Sequence, residues 1–153
     1  MDKALLKHIG ESTAYSAKGH FKTSDIRRIV TYLYITLNFA LSIVCLTNLV
    51  SSGWLQVFSL VSLFASILLL ISETHGGLSI CKEHMKFGND YLELHNDCYM
   101  EYLNSYSTQQ NIELLKNRFN DLNKKERPNI NLGGKFWAKY AIEKMGEMNI
   151  WWK

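Results

Sequence analysis

Hydrophobic and polar positions divide this chain into stretches of different character. Residues 29–72, 44 in a row, contain no Asp, Glu, Lys, Arg or His. Within them Ile29 to Val50 and Trp54 to Ser72 are mostly apolar, and only Ser51-Ser52-Gly53 separates them. An α-helix rises about 1.5 Å per residue, so about 20 residues cross a hydrocarbon core roughly 30 Å thick. Both segments have about that length, and together they predict a transmembrane helical hairpin with a tight turn. The competing arrangement is two apolar helices buried in a water-soluble domain, which 153 residues would struggle to surround.

The flanking stretches are amphipathic. Ser12 or Thr13 is placed to cap a helix that continues into the first span, with Gly19 as its only weak point. Beyond the second span, which is expected to run on, Leu78, Cys81, Met85, Gly88, Leu92, His95, Tyr99, Tyr102 and Tyr106 alternate steps of three and four. That seven-residue repeat predicts a long helix with a packing seam. Leu78, Met85, Leu92, Tyr99 and Tyr102 are its candidate oligomerisation positions. Ser105 to Gln110 reads as a break, and a short helix with Ile112, Leu115, Phe119 and Leu122 on one face follows. Asn123 to Gly134 reads as a turn region with Pro128 and Gly133-Gly134 as breakers. A last helix from about Lys135 to Glu147 has Phe136, Trp137, Tyr140, Ala141 and Met145 as its apolar members. Trp151-Trp152 is suited either to docking on the helices or to lying at a membrane surface. No strand pattern or internal repeat appears. The expected fold is all-α: an N-terminal arm (1–28), a transmembrane hairpin (29–72) and a cytoplasmic helical bundle (73–153).

Charge sets the expected orientation. The chain carries 17 Lys and Arg against 14 Asp and Glu, a net +3. Residues 1–28 hold the whole excess, because basic and acidic residues balance after Ser72. Lys18, Lys22, Arg27 and Arg28 precede the first span, and Lys82 and Lys86 follow the second. The positive-inside tendency then puts both termini in the cytoplasm and Trp54 at the opposite interface. The basic arm is suited to anionic lipid at the membrane surface and too diffuse for nucleic-acid readout. No cleavable signal peptide is expected, because the first apolar stretch starts late and is too long. Cys45, Cys81 and Cys98 read as free thiols of a reducing compartment.

Neither span is uniformly apolar. Thr31, Tyr34, Asn38, Ser42, Cys45 and Asn48 recur at helical spacing in the first, and Ser59, Ser62, Ser66 and Glu73 trace a line in the second. Amides and hydroxyls facing lipid cost free energy, so these stripes should meet protein or water. In one reading they hold the hairpin and its neighbours together through hydrogen bonds. In the other, several copies assemble with Asn38, Ser42, Ser59, Ser62 and Ser66 along a polar path. Glu73 would then ring the inner mouth with carboxylates that favour cations.

Catalytic signatures are missing. Gly76-Gly77 and Gly133-Gly134 lack the Lys and hydroxyl pattern of a phosphate loop. Cys81 and His84 share a helix face, but His75 does not join them well, which leaves half a metal site at most. His20 reads as a solvated or packed histidine. No enzyme activity, metal or cofactor is expected.

Several short motifs in order carry a family likeness. Ala14-Tyr15-Ser16-Ala17-Lys18-Gly19-His20-Phe21 leads into the first span and is followed by Asp25-Ile26-Arg27-Arg28 and the tight hairpin. Gly88-Asn89-Asp90-Tyr91-Leu92 opens the heptad-like helix; Leu122-Asn123, Pro128 and a final helix with Ala138 and Ala141 complete the series. Over about residues 13–145 this layout resembles the SLATT family of bacterial two-transmembrane proteins. Asn129 to Gly134 departs from the pattern in lacking a second proline. The resemblance implies an effector of anti-phage or other conflict systems in the bacterial inner membrane. Such an effector forms homo-oligomers and damages the membrane when a partner signals infection. It also implies an operon-encoded partner, such as a nucleotidyltransferase, another sensor or a reverse transcriptase with its nucleic acid. It supplies no catalytic residue.

Overall fold

A computed structural model describes residues 3–47, 51–74 and 76–152. These residues form five helices: α1 (Lys3–Leu46), α2 (Ser52–Thr74), α3 (Gly77–Leu103), α4 (Gln109–Lys124) and α5 (Leu132–Glu143). No strand occurs among the described residues. Internal contacts divide the chain into two units, one of Met1–Ser24 with Lys82–Lys153 and one of Asp25–Cys81.

The Asp25–Cys81 unit holds the later part of α1 and all of α2, and both helices are long and apolar enough to cross a membrane. Their most apolar windows have mean hydropathies of 2.0 and 2.3, and only 6% of each window is buried. Ile29, Leu33, Phe39, Leu60, Phe64 and Leu70 face outward. Among the described residues, little of these apolar faces is covered, which is consistent with helices that cross a membrane. Ala65 is the one buried residue given by α2, a small side chain that lets neighbouring helices approach.

The second apolar helix does not run on into the heptad stretch as expected. It stops at Thr74, and Gly76 (φ 92°) and Gly77 (φ 40°), the first residue of α3, have positive φ at the junction. The Gly76 N–H donates to the Glu73 carbonyl at 3.0 Å. This is the usual role of glycine at a helix C-terminus, where a Cβ would be strained.

In the other unit, α1, α3 and α4 share one core. Leu6, Ile9 and Ala17 meet Tyr91, Leu94 and Cys98 from α3 and Ile112, Leu115 and Leu122 from α4. Helix α1 starts well before the expected cap. Thr13 is buried within it, and its hydroxyl donates to the Ile9 carbonyl at 2.8 Å. A hydroxyl bonded back to the preceding turn satisfies itself inside the helix, so it caps nothing.

The α3 face is rotated by one position along half its length. Cys81, Gly88 and His95 are buried as the repeat requires. At the alternate positions His84, Tyr91 and Cys98 are buried in place of Met85, Leu92 and Tyr99, and Leu94 is buried beside His95. Helix α3 ends at Leu103, so Tyr106 lies beyond it. Helix α4 matches its expected face: Ile112, Leu115 and Leu122 are buried, and Phe119 packs against the same core. Thr108 caps it by accepting from the Asn111 N–H.

Helix α5 departs from expectation in two ways. Gly133 and Gly134 are inside its first turn, because Asn131 caps the helix by accepting from the Gly134 N–H. Its buried face is Gly134, Ala138, Ala141 and Ile142, while Phe136, Trp137, Tyr140 and Met145 are exposed. The tail after α5 docks on the unit. Trp152 packs with Ala14 and Ile142, and Trp151 lies against the rings of Tyr99 and Tyr102 at 5.5 and 5.2 Å.

Candidate functional site

Two polar constellations stand out, one in each unit. In the hairpin, Asn38 is the hub. Its Nδ2 donates to Ser66 Oγ at 3.1 Å, and its Oδ1 accepts from Ser62 Oγ at 2.9 Å. Ser66 in turn donates to the Ser62 carbonyl at 2.9 Å, and Ser42 to the Asn38 carbonyl at 2.8 Å. Cys45 Sγ and Ser59 Oγ are 3.7 Å apart. The two sequence stripes therefore face each other across the α1–α2 interface. A carboxamide has two donors and an acceptor oxygen, so one side chain can bridge two hydroxyls on the neighbouring helix.

Part of this strip stays open. Ser42, Cys45, Ser59, Ser62 and Ser66 line a shallow groove flanked by Leu46 and Leu63. Glu73 stands apart from the ladder. It is exposed, with its carboxylate against Gly77, where a Cβ would collide with it. Asn48, the outermost member of the first stripe, and His75, the histidine that does not join Cys81 and His84 well, fall outside the described residues.

The expected oligomerisation positions have mixed surroundings. Leu92 and Tyr102 are partly buried against the core, and Tyr99 packs on Trp151. Met85 is exposed, and Leu78 is half-buried within the hairpin unit.

The second constellation is a buried histidine pair. His20 Nδ1 and His84 Nδ1 lie 2.8 Å apart, with both residues fully buried. The His20 ring also stacks on Phe87 and Tyr91, with centroids 5.8 and 5.9 Å away. Burial pushes His20 down to about 4, and the neighbouring His84 and Arg127 act in the same direction. The Tyr91 hydroxyl donates to Asn123 Oδ1 at 3.0 Å and accepts from Arg127. Burial raises this phenol, with Arg127 opposing it.

One helical turn along α3, His95 joins α1 to the tail. Its Nδ1 contacts the Gly10 carbonyl at 2.9 Å, and the Trp151 indole N–H donates to its Nε2 at 3.2 Å. A carbonyl only accepts and an indole N–H only donates, so His95 is neutral with its proton on Nδ1. Burial lowers its pKa, and the Gly10 bond works against that. Ion pairs fasten the same tail: Lys18 and Lys22 reach Glu147 at 2.9 and 3.2 Å, which lowers the Glu147 pKa.

These groups order and cross-link helices. Among the described residues no group of three or more His, Cys, Asp or Glu is placed to hold a metal ion. Each histidine is visible in the chain, but the pairing of residues 64 positions apart has no local signal, and only the folded unit reveals it. Searches against protein-family models, curated proteins and solved structures give no match to this chain.

Proposed function

We propose that this chain is a membrane-embedded effector of an anti-phage defence system. It oligomerises and permeabilises the inner membrane on a signal from a partner protein, with both termini in the cytoplasm. The observation that supports this is the open hydroxyl and thiol groove of Ser42, Cys45, Ser59, Ser62 and Ser66 on an otherwise apolar hairpin. Lipid is a poor partner for such a strip, whereas other copies or water are good ones. The likeness to SLATT proteins points the same way and suggests the partner class, a nucleotidyltransferase or reverse transcriptase. Induced expression with the trigger should depolarise cells, and Ser62→Leu with Ser66→Leu should abolish this at an unchanged protein level. Depolarisation that survives both changes refutes the proposed lining.

The ladder itself favours a second reading. Asn38, Ser62 and Ser66 satisfy one another within a single hairpin, as a purely structural interface requires. The chain would then be a non-conducting scaffold that oligomerises and anchors a cytoplasmic nucleotide-synthesising or reverse-transcriptase partner. A stoichiometric soluble partner retained in detergent, with no conductance in reconstituted bilayers, selects the scaffold. Conductance by the homo-oligomer alone selects the effector.

A further inference from the structure

Helix α5 turns its larger apolar side chains outward. Gly134, Ala138, Ala141 and Ile142 face the unit, while Leu132 (85% exposed), Phe136 (66%), Trp137 (48%) and Tyr140 (44%) face solvent. The three aromatic rings form one surface cluster. Phe136 meets Trp137 edge-on at 6.0 Å, and Trp137 meets Tyr140 edge-on at 5.7 Å. Lys135, Lys139 and Lys144 are exposed around them. The only acidic residue within α5 is Glu143, whose Oε1 accepts from the Tyr15 hydroxyl at 3.0 Å. Aromatic and aliphatic rows flanked by lysines are the composition of a helix lying in a bilayer interface. There rings settle among headgroups and lysines reach anionic phosphates.

From this geometry we propose that the outer face of α5 docks on an anionic lipid surface. Charge decides the occupant: a second copy would set three lysines against three across a two-fold axis, whereas anionic headgroups neutralise them. Chain connectivity favours the same partner. The unit containing α5 sends its chain into the apolar hairpin after Ser24 and receives it back at Lys82. That double tether keeps α5 at high effective concentration near any bilayer the hairpin spans, so a weak docking face suffices. The inference rests on the membrane reading of the hairpin and adds a lipid-recognising surface to it.

The full chain is reconstituted into phosphatidylcholine bilayers with and without phosphatidylglycerol, each carrying lipid brominated near the headgroup end of its acyl chains. The Trp137 signal is the fluorescence difference between the native chain and Trp137→Phe, and Trp54→Phe gives the same measure for the hairpin. Trp137 should be quenched in the phosphatidylglycerol bilayers. Lys135→Gln, Lys139→Gln and Lys144→Gln should each lower the docked-to-free ratio about fivefold while Trp54 quenching is unchanged. Unquenched Trp137 beside quenched Trp54 overturns α5 docking and leaves the hairpin in place. Quenching that ignores both phosphatidylglycerol and the lysines overturns anionic recognition. A Trp137 protected from aqueous iodide yet unquenched by bromolipid means that protein covers the face, which also overturns the proposal. If neither tryptophan is quenched, the membrane reading fails and this inference with it.

Discussion

His20 on α1 and His84 on α3 present Nδ1 to Nδ1 at 2.8 Å, with no exposure to water. One Nδ1 must donate and the other accept, and burial disfavours a charge on His20, so the contact joins two neutral imidazoles of opposite tautomer. An added proton would place a charge in a site closed to water, walled by Phe87 and Tyr91 and facing Arg127.

That arrangement makes the helical unit sensitive to acid. His20 falls from 6.5 when unfolded to about 4 when folded. The stability it contributes is therefore complete above pH 6.5 and is lost as pH falls from 6.5 through about 4, by about 3 kcal/mol. Thermal unfolding in detergent across that range should show a falling Tm, and His20→Gln should flatten the slope. His95, lowered in the same direction, keeps part of it. A variant slope equal to that of the native chain would sink the idea.

The hairpin ladder predicts coupling between Asn38 and its partners. Asn38→Leu and Ser62→Ala should each weaken the α1–α2 interface, and the double change should cost less than the sum. The shortfall, about 0.6 kcal/mol and below about 2, is the range for polar contacts between membrane helices. Denaturing-detergent titration of the four proteins of the cycle measures it, and strict additivity would show that the bond contributes nothing.

Close approach of α1 and α3 depends on Gly88. A Cβ there would strike the Phe21 ring. Gly88→Ala should destabilise the unit by about 1–3 kcal/mol, and Phe21→Leu in the same chain should recover part of the loss. Unfolding midpoints of the two variants test this; an unchanged midpoint for Gly88→Ala would mean the ring moves aside freely.

Cys98 should be chemically silent. It is fully buried, and burial pushes its thiol up to about 12, with Asp97 adding to the shift and Arg118 opposing it. The thiolate is the reactive form, so at pH 8 a maleimide should modify Cys98 only after unfolding. Peptide mass spectrometry before and after denaturation reads this out, and native-state labelling of Cys98 would contradict the packing.

Much of this architecture was legible along the chain, and the misses have physical causes. The apolar helices announce themselves through the absence of charge, and the α4 face through three-four spacing of Ile112, Leu115, Phe119 and Leu122. The α3 seam was misread by one position because apolar character favours Met85 and Leu92 over His84 and Tyr91. Buried polarity depends on partners far away in sequence, here His20, Asn123 and Arg127. In α5 bulk misled in the same way. Ala138 and Ala141 occupy the tight inner face, and the aromatic rings stand outside. The Gly76-Gly77 break was visible as a glycine pair, but its effect on the helix emerges only in the left-handed dihedrals. Of the candidate lining residues, helical spacing grouped Asn38 with Ser42 and Ser62 with Ser66, and no local pattern could show that the two groups bond to each other.

The self-satisfied carboxamide of Asn38 has a consequence for assembly. A sister hairpin at the same depth offers an identical amide and identical hydroxyls. Internal bonds can then be traded one for one between neighbours, with no net loss of pairing. If copies assemble as proposed, these polar bonds would neither drive nor oppose the exchange, and packing and the cytoplasmic helices would decide it.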